Sequence, residues 1–396
     1  MCEKKIVNPW IVNPFFYYSF FWLVTILFYY ISPSGLYMEL NHGLLIFLLI
    51  TIVVAIIIAI QFNINYKNKV IKIRYYKPKG IILVTLLILY VFEFIYSKSV
   101  PLITGETYGE FGIPTLHVII VTFSCYYAIK NYFQYIAFKK NKCLLNFIII
   151  VTYFILIFSR GILVFLFSII IALTTFDKII KIHHLIIFLL IVFIFSWLFG
   201  IAGNIRSGYS WNDSGVIIYF SDIPIDRHSL LAPFIWVEEY IVCSLRNLNF
   251  NINFTPVTNS IFGLLYSIIP DFLSKRLFLE YSIIPELQVE AFTTCTMYTN
   301  VYISFGYLGM ILNFIIYFII YFIFTHIKMI DETNKIIGFS ILSMIFALSI
   351  FNDMLWYSGY SFTLIYCFLF GLKPSLGQFI PYISTSTKGD RIWKNH

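Results

Sequence analysis

Apolar and polar positions alternate along this chain on the scale of a membrane. Ten mostly apolar stretches, 14–31, 43–61, 80–97, 114–129, 144–158, 162–176, 182–200, 305–325, 336–353 and 357–372, are separated by polar or basic connections. A membrane-crossing helix needs about 17 to 25 such residues, and most of these stretches reach that length. Backbone polar groups find no water in lipid, and the strict alternation of a β-barrel is missing, so the stretches predict helices. The fifth and sixth are short and separated only by Ser159, Arg160 and Gly161, which predicts a tight helical hairpin or a partly re-entrant pair.

The rhythm fails from 201 to about 300, where five basic and nine acidic residues accompany amphipathic stretches at 230–246 and 257–269. A loop this long in a compact protein is usually functional. Its helical stretches are expected to lie on the membrane surface, because one more crossing would move the basic tail to the other side. The chain therefore divides into an N-terminal membrane bundle (1–200), a large outer loop or cap (201–300), and C-terminal spans with a basic tail (301–396). Neither a solenoid-type repeat nor an inverted repeat is visible, which weakens a transporter reading.

Composition sharpens the class. Of 396 residues 60% are hydrophobic and 12% charged, against about 45–50% and about 25% in soluble proteins. So little polar surface cannot cover a soluble globule, and the bilayer is the expected solvent. The formal charge of +8 lies between apolar stretches rather than on one exposed face, so no nucleic-acid partner is expected. With the N-terminus in the cytoplasm, 20 of the 27 Lys and Arg residues fall on cytoplasmic connections, the bias that sets membrane orientation. Both termini are then cytoplasmic, and no cleavable-signal pattern is expected. None of the six cysteines forms a C-x-x-C pair. Cys243 and Cys295 share the outer side and could pair, or remain free buried thiols.

Ionisable residues at membrane depth are costly and default to a functional hypothesis. Glu93, His117, Arg160, Arg206 and Asp353 all fall at outer ends of apolar stretches. Each also has a plainer reading, such as a Glu93–Lys98 pair. Arg160 and Arg206 stand beside glycines, in Phe158-Ser159-Arg160-Gly161 and Gly203-Asn204-Ile205-Arg206-Ser207-Gly208. Small neighbours leave room for a ligand, and the planar guanidinium fork matches phosphate oxygens.

These features, in this order, resemble the Wzy-type polymerases of O-antigen and related surface polysaccharides. The similarity rests on Phe111-Gly112-Ile113-Pro114-Thr115-Leu116-His117, the Ser-Arg-Gly turn at Arg160, Gly203-Asn204-Ile205-Arg206 opening the largest loop, and Phe305-Gly306-Tyr307-Leu308-Gly309. It spans the whole chain in architecture but only these short stretches in motif, and family members often carry a span or two more. The resemblance implies an all-α, GT-C-like polytopic glycosyltransferase of about 10 to 12 transmembrane helices, in the bacterial inner membrane with a periplasmic active site. The growing glycan would pass from undecaprenyl pyrophosphate to a hydroxyl of the next lipid-linked repeat unit.

Under that reading Arg160 and Arg206 stabilise the leaving pyrophosphate, and Asp222, His228, Glu238 and Glu239 are candidates for the catalytic base, with Asp226 and Glu290 also available. Glu238 and Glu239 point about 100° apart on a helix, so they are not expected to act as a matched pair. His117, Arg227, Arg246, Trp211, Tyr209 and Asp353 are the expected substrate-binding residues, although aromatic residues such as Trp236 and Tyr240 are also abundant at membrane interfaces. The sequence has no Asp-x-Asp, so neither metal nor other cofactor is expected. A flippase and a chain-length regulator are implied as partners by the family alone. An O-antigen ligase passing the glycan to lipid A core is the nearest alternative, ahead of a lipid-linked oligosaccharide flippase and an acyltransferase.

Overall fold

Helices form at all ten apolar stretches. The computed structural model describes residues 2–6, 8–36, 38–66, 70–104, 111–178, 182–327 and 330–372, without the side chains of 2–4, 160, 183–185, 187 and 188. In chain order the elements are β1 (Cys2–Ile6), α1 (Pro14–Ile31), α2 (His42–Tyr66), β2 (Val70–Arg74), α3 (Gly80–Ser97), α4 (Pro101–Thr104), α5 (Leu116–Phe138), α6 (Asn141–Leu156), α7 (Arg160–Thr175) and α8 (Ile182–Arg206). The outer segment then forms α9 (Gly215–Ser221), α10 (Phe234–Phe254), α11 (Ile261–Ile268) and α12 (Asp271–Leu277), before α13 (Thr299–His326), α14 (Glu332–Ala347) and α15 (Ser358–Gly371).

Among the described residues six segments are long and apolar enough to cross a membrane: Pro14–Ile31, His42–Tyr66, Gly80–Thr104, Leu189–Arg206, Thr299–His326 and Glu332–Ile350. Asn141–Leu156, Gly161–Thr175 and Ser358–Gly371 are apolar but shorter. α5 carries Lys130, Asn131 and Gln134 in its second half. The chain is thus a mostly helical, polytopic membrane protein.

Exposure along α2 shows why lipid is the solvent. Leu44, Leu48, Ile52, Ala55, Ala59 and Phe62 face the bundle, while Ile46, Ile50, Val53, Ile57, Ile60 and Ile64 face outward at the same three-and-four spacing. Both stripes are apolar, whereas a water-facing helix would be polar on one of them. α14 is the innermost helix, with 89% of its apolar window buried, and it packs against α1, α7 and α15.

Connections gather on two faces. On one, β1 pairs antiparallel with β2 (Ile6 opposite Val70), Lys5 meets Asp177 at 2.9 Å, and the Lys72 amide donates to Glu332 at 2.6 Å. This small ribbon is an addition to the all-helical expectation; its alternate residues Ile71 and Ile73 are buried. On the other face, Gly35 N–H donates to the Asp222 carbonyl (2.8 Å), Gln288 Nε2 to the Leu36 carbonyl (2.7 Å), and Met297 N–H to the Ser349 carbonyl (2.9 Å).

The outer segment departs from expectation. α8 runs on to Arg206 and α13 begins at Thr299, so the loop between them is shorter than the apolar boundaries suggest. α10 is longer than the amphipathic stretch that announced it and packs against α1, α8 and α13. Val242, Leu245, Leu248, Asn249 and Asn251 are fully buried, so α10 rests on protein rather than lying on the bilayer surface. α13 breaks at Phe305 and Gly306, where Gly306 takes φ 61°. The carbonyls freed there, of Ile303 and Ser304, accept from the Thr258 and Ser260 amides at 2.9 and 3.0 Å. Gly309 follows because a Cβ on it would lie 2.1 Å from the Val301 carbonyl oxygen.

Candidate functional site

The turn Phe111–His117 folds around its own histidine. Gly112 has φ +91°, and a Cβ there would sit 2.5 Å from His117 Nδ1, so glycine is what lets the ring tuck in. The Gly112 amide donates to Ser97 Oγ (2.8 Å), tying the turn to the end of α3. His117, in the first turn of α5, then brings Nδ1 within 2.9 Å of Glu93 Oε1. The other carboxylate oxygen accepts from the Tyr153 hydroxyl of α6 at 2.5 Å, and the Tyr153 ring stacks on Tyr90 at 3.7 Å. Glu93 is therefore paired with His117, not Lys98. With Nδ1–H donating to the carboxylate, Nε2 is the ring nitrogen without a proton, and it is buried. Glu93 is fully buried and His117 8% exposed.

The outer segment covers this region. Arg276 of α12 donates to Thr115 Oγ1 at 3.1 Å. Asp271, at the other end of α12, caps α15 by accepting from the Ser358 amide (2.9 Å) and hydroxyl, and its own amide donates to the Trp356 carbonyl (2.9 Å). α12 thus lies over the N-terminal ends of α5 and α15, while α11 packs on α13. Tyr153, Asp271 and Arg276 belong to no motif. Their partners are 60, 87 and 161 residues away, so packing alone identifies them.

The expected phosphate arginines differ in outcome. The Arg160 side chain lies outside the described residues, although α7 begins at this residue. Gly161 makes space for protein rather than ligand, since its missing Cβ would meet the Tyr360 hydroxyl at 2.6 Å. Arg206 is exposed in the last turn of α8. The glycines before it are packing residues: a Cβ on Gly200 would lie 1.9 Å from the Pro233 carbonyl oxygen, and one on Gly203 would lie 2.7 Å from the Trp236 ring. Gly208, with φ +82°, ends the helix.

Glu238, Glu239 and Arg246 do not turn toward water. Arg246 Nη1 donates to both Glu239 oxygens (2.9 and 2.8 Å), Nη2 donates to Ser32 Oγ (2.8 Å), and Glu238 Oε1 lies 3.8 Å away. The adjacent carboxylates do converge, because an arginine two turns further along reaches back between them. Burial pushes the Glu239 carboxyl up to about 7, against the pull of the Arg246 guanidinium and with Glu238 adding to the rise. Asn247 and Asn251 hold the chain at 286–294, while Asn249, a residue pair apart on the opposite side, donates to the Tyr29 hydroxyl and the Glu39 carbonyl. The polar residues of α10 are thus largely committed to assembling the outer segment.

The remaining candidates are dispersed. Asp353 accepts from Asn313 Nδ2 (2.7 Å) and the Tyr317 hydroxyl (2.8 Å), holding the turn after α14 to α13. Arg227 pairs with Asp213. Burial raises the Asp213 carboxyl, but the Gly215 amide and Arg227 outweigh it and hold it below the usual range. Asp222 is exposed and left-handed (φ 51°). Trp236 donates to Asn204 Oδ1 at 2.8 Å, and Tyr240 packs on Phe199. Cys243 and Cys295 are both free thiols. Tyr209 is exposed, and Trp211 and His228 line a cleft of ≈ 120 Å³ beside Trp197.

The arrangement defines a helical membrane protein with a folded segment over one end of its bundle and a buried His–Glu pair near their boundary. No protein-family model, curated protein or solved structure matches the chain.

Proposed function

We propose that this protein is a GT-C-like membrane glycosyltransferase that polymerises undecaprenyl-pyrophosphate-linked repeat units at the outer face of a bacterial inner membrane. The observation that carries the reading is the buried His117–Glu93 pair near the ends of the helices covered by α12. A base in this role must take the proton of the acceptor hydroxyl as its oxygen attacks the anomeric carbon of the donor. The bond from that carbon to the pyrophosphate oxygen breaks, and the pyrophosphate leaves with the electron pair. His117 Nε2 is the proposed proton acceptor, oriented by Glu93 through Nδ1. This moves the base from the loop carboxylates to the bundle, because Glu239 is held by Arg246. Arg160 and Arg276 are the proposed counter-charges for the leaving group.

Surface-glycan analysis of a deletion strain tests the reading. A lipid A core bearing a single repeat unit is expected. Bare core would instead assign a ligase or flippase, and full-length chains of altered chemistry a modifying enzyme. Purified protein given lipid-linked substrate should also polymerise in excess EDTA; activity that requires added magnesium or manganese would sink the metal-free scheme.

A further inference from the structure

We infer that the cleft beside Trp197 of α8 is a binding site for one neutral sugar ring of a lipid-linked glycan. The inference rests on the proposed glycan chemistry for its ligand class, but its geometry is separate from the His117 site. The cleft holds ≈ 120 Å³, less than the cavity of about 150 Å³ that encloses a benzene ring, so it takes one face of a single ring with the rest of the ring outside. Its walls include two indoles, Trp197 and Trp211. Trp197 Nε1 donates to the Leu230 carbonyl at 3.1 Å, which fixes that ring. The Trp211 carbonyl accepts from Asn204 Nδ2 at 3.3 Å, while its side chain stays 54% exposed.

Polar groups on the rim are half-used. His228 Nδ1 lies 3.2 Å from the Asn212 carbonyl, Asn212 Oδ1 accepts from Ser210 Oγ at 2.9 Å, and Ser229 Oγ accepts from the Leu231 amide at 3.3 Å. Asn212, His228 and Ser229 line the cleft, and among the described residues Asn212 Nδ2, His228 Nε2 and the Ser229 hydroxyl proton are not taken up by these bonds. An aromatic wall for the C–H face of a pyranose with hydroxyl partners around it is the lining that recognises a sugar. No Asp, Glu, Lys or Arg lines the cleft, which argues against a phosphate or a nucleotide there.

The apolar surface next to the cleft fits a glycan carried on lipid. On α8 before Trp197, every residue from Leu189 to Phe195 is between 42% and 68% exposed. Seven consecutive residues cover all sides of a helix, so α8 offers apolar surface around its circumference at this level. The cleft adjoins this surface at Trp197, within the Leu189–Arg206 stretch, so a glycan whose lipid packs on α8 is held beside it. His228 then binds sugar rather than moving a proton.

The test uses full-length protein in phosphatidylcholine nanodiscs, free of glycoside detergents, with methyl glycosides of glucose, galactose, mannose, N-acetylglucosamine and N-acetylgalactosamine as probes in saturation-transfer NMR. At least one probe should give a saturable signal. Trp211→Ala and Asn212→Ala should weaken binding about tenfold, whereas Trp211→Phe, which keeps a flat ring, should retain it; Lys98→Gln, a change at another outer-face cation, should leave it unaltered. Failure of all five probes to bind, equal binding by Trp211→Ala, or displacement of the probe by phosphatidylglycerol as an ordinary headgroup would overturn the assignment. Glycoside binding in a protein whose deletion leaves glycan chains intact would keep this site and remove the polymerase reading. Polymer loss on deletion without glycoside binding would do the reverse.

Discussion

His117 shows how a single residue gains chemistry from its neighbours. Its depth at the outer end of an apolar stretch is readable along the chain, but Glu93 and Tyr153 come from two other helices. If Nε2 accepts the acceptor's proton, His117→Gln should lower polymerisation by at least about 100-fold while leaving membrane insertion intact. Glu93→Gln should lower kcat through lost orientation. An in vitro assay with lipid-linked substrate checks both, and wild-type turnover by His117→Gln would remove the histidine from the chemistry. Glu239 supports a different prediction. Its carboxyl is raised from 4.5 to about 7 in the folded protein, so between these values the folded state keeps a proton that the unfolded chain has released. Its contribution to stability is therefore complete below 4.5 and is lost as pH rises through about 7. Thermal unfolding in detergent should show this decline, and Glu239→Gln should flatten it. An unchanged pH slope in that variant would place the raised carboxyl elsewhere. Neither effect follows from a glutamate pair seen only in sequence, where Arg246 is simply another loop cation.

At the level of elements, glycines mark where helices touch. The Gly-Asn-Ile-Arg segment predicts open space beside an arginine, but the space is filled by α10. A methyl group on Gly200 would meet a backbone carbonyl at 1.9 Å, whereas one on Gly161 meets only the hydroxyl end of Tyr360 at 2.6 Å. Gly200→Ala should therefore destabilise the protein by about 1–3 kcal/mol by forcing α8 from α10, and Gly161→Ala should be near neutral because Tyr360 can shift. Equal melting temperatures for the two variants would show that the α8–α10 seam yields freely. The end of α8 was not legible: the apolar stretch stops at 200, whereas the helix runs to Arg206 and Gly208, expected to make room for a ligand, is its left-handed stop. Nor was the burial of α10, because an amphipathic pattern has the same form whether its apolar side meets lipid or a neighbouring helix.

For the whole molecule, two groups of connections must lie on opposite sides of one bilayer. Cysteines placed at Lys72 and Asp177 should react with an impermeant thiol reagent only after permeabilisation, and cysteines at Asp222 and Arg276 in intact spheroplasts. The reverse pattern would invert the orientation, and disagreement within either pair would break the two-face arrangement. Cys125, Cys143, Cys243 and Cys367 are buried while Cys295 is partly exposed, so a Cys295→Ser background serves the assay. The positions of the membrane helices were decided by sequence alone, because lipid demands an apolar run whose backbone satisfies itself. The same holds for the break in rhythm between α8 and α13, where short helices gather. Tertiary structure alone decided that Glu93 pairs with His117, that Arg246 holds Glu239 inside α10, and that α12 reaches α5 and α15. In a chain that is 60% hydrophobic, apolar patterning cannot select which helices become neighbours; shape-matched packing and the pairing of the few buried polar groups make that choice.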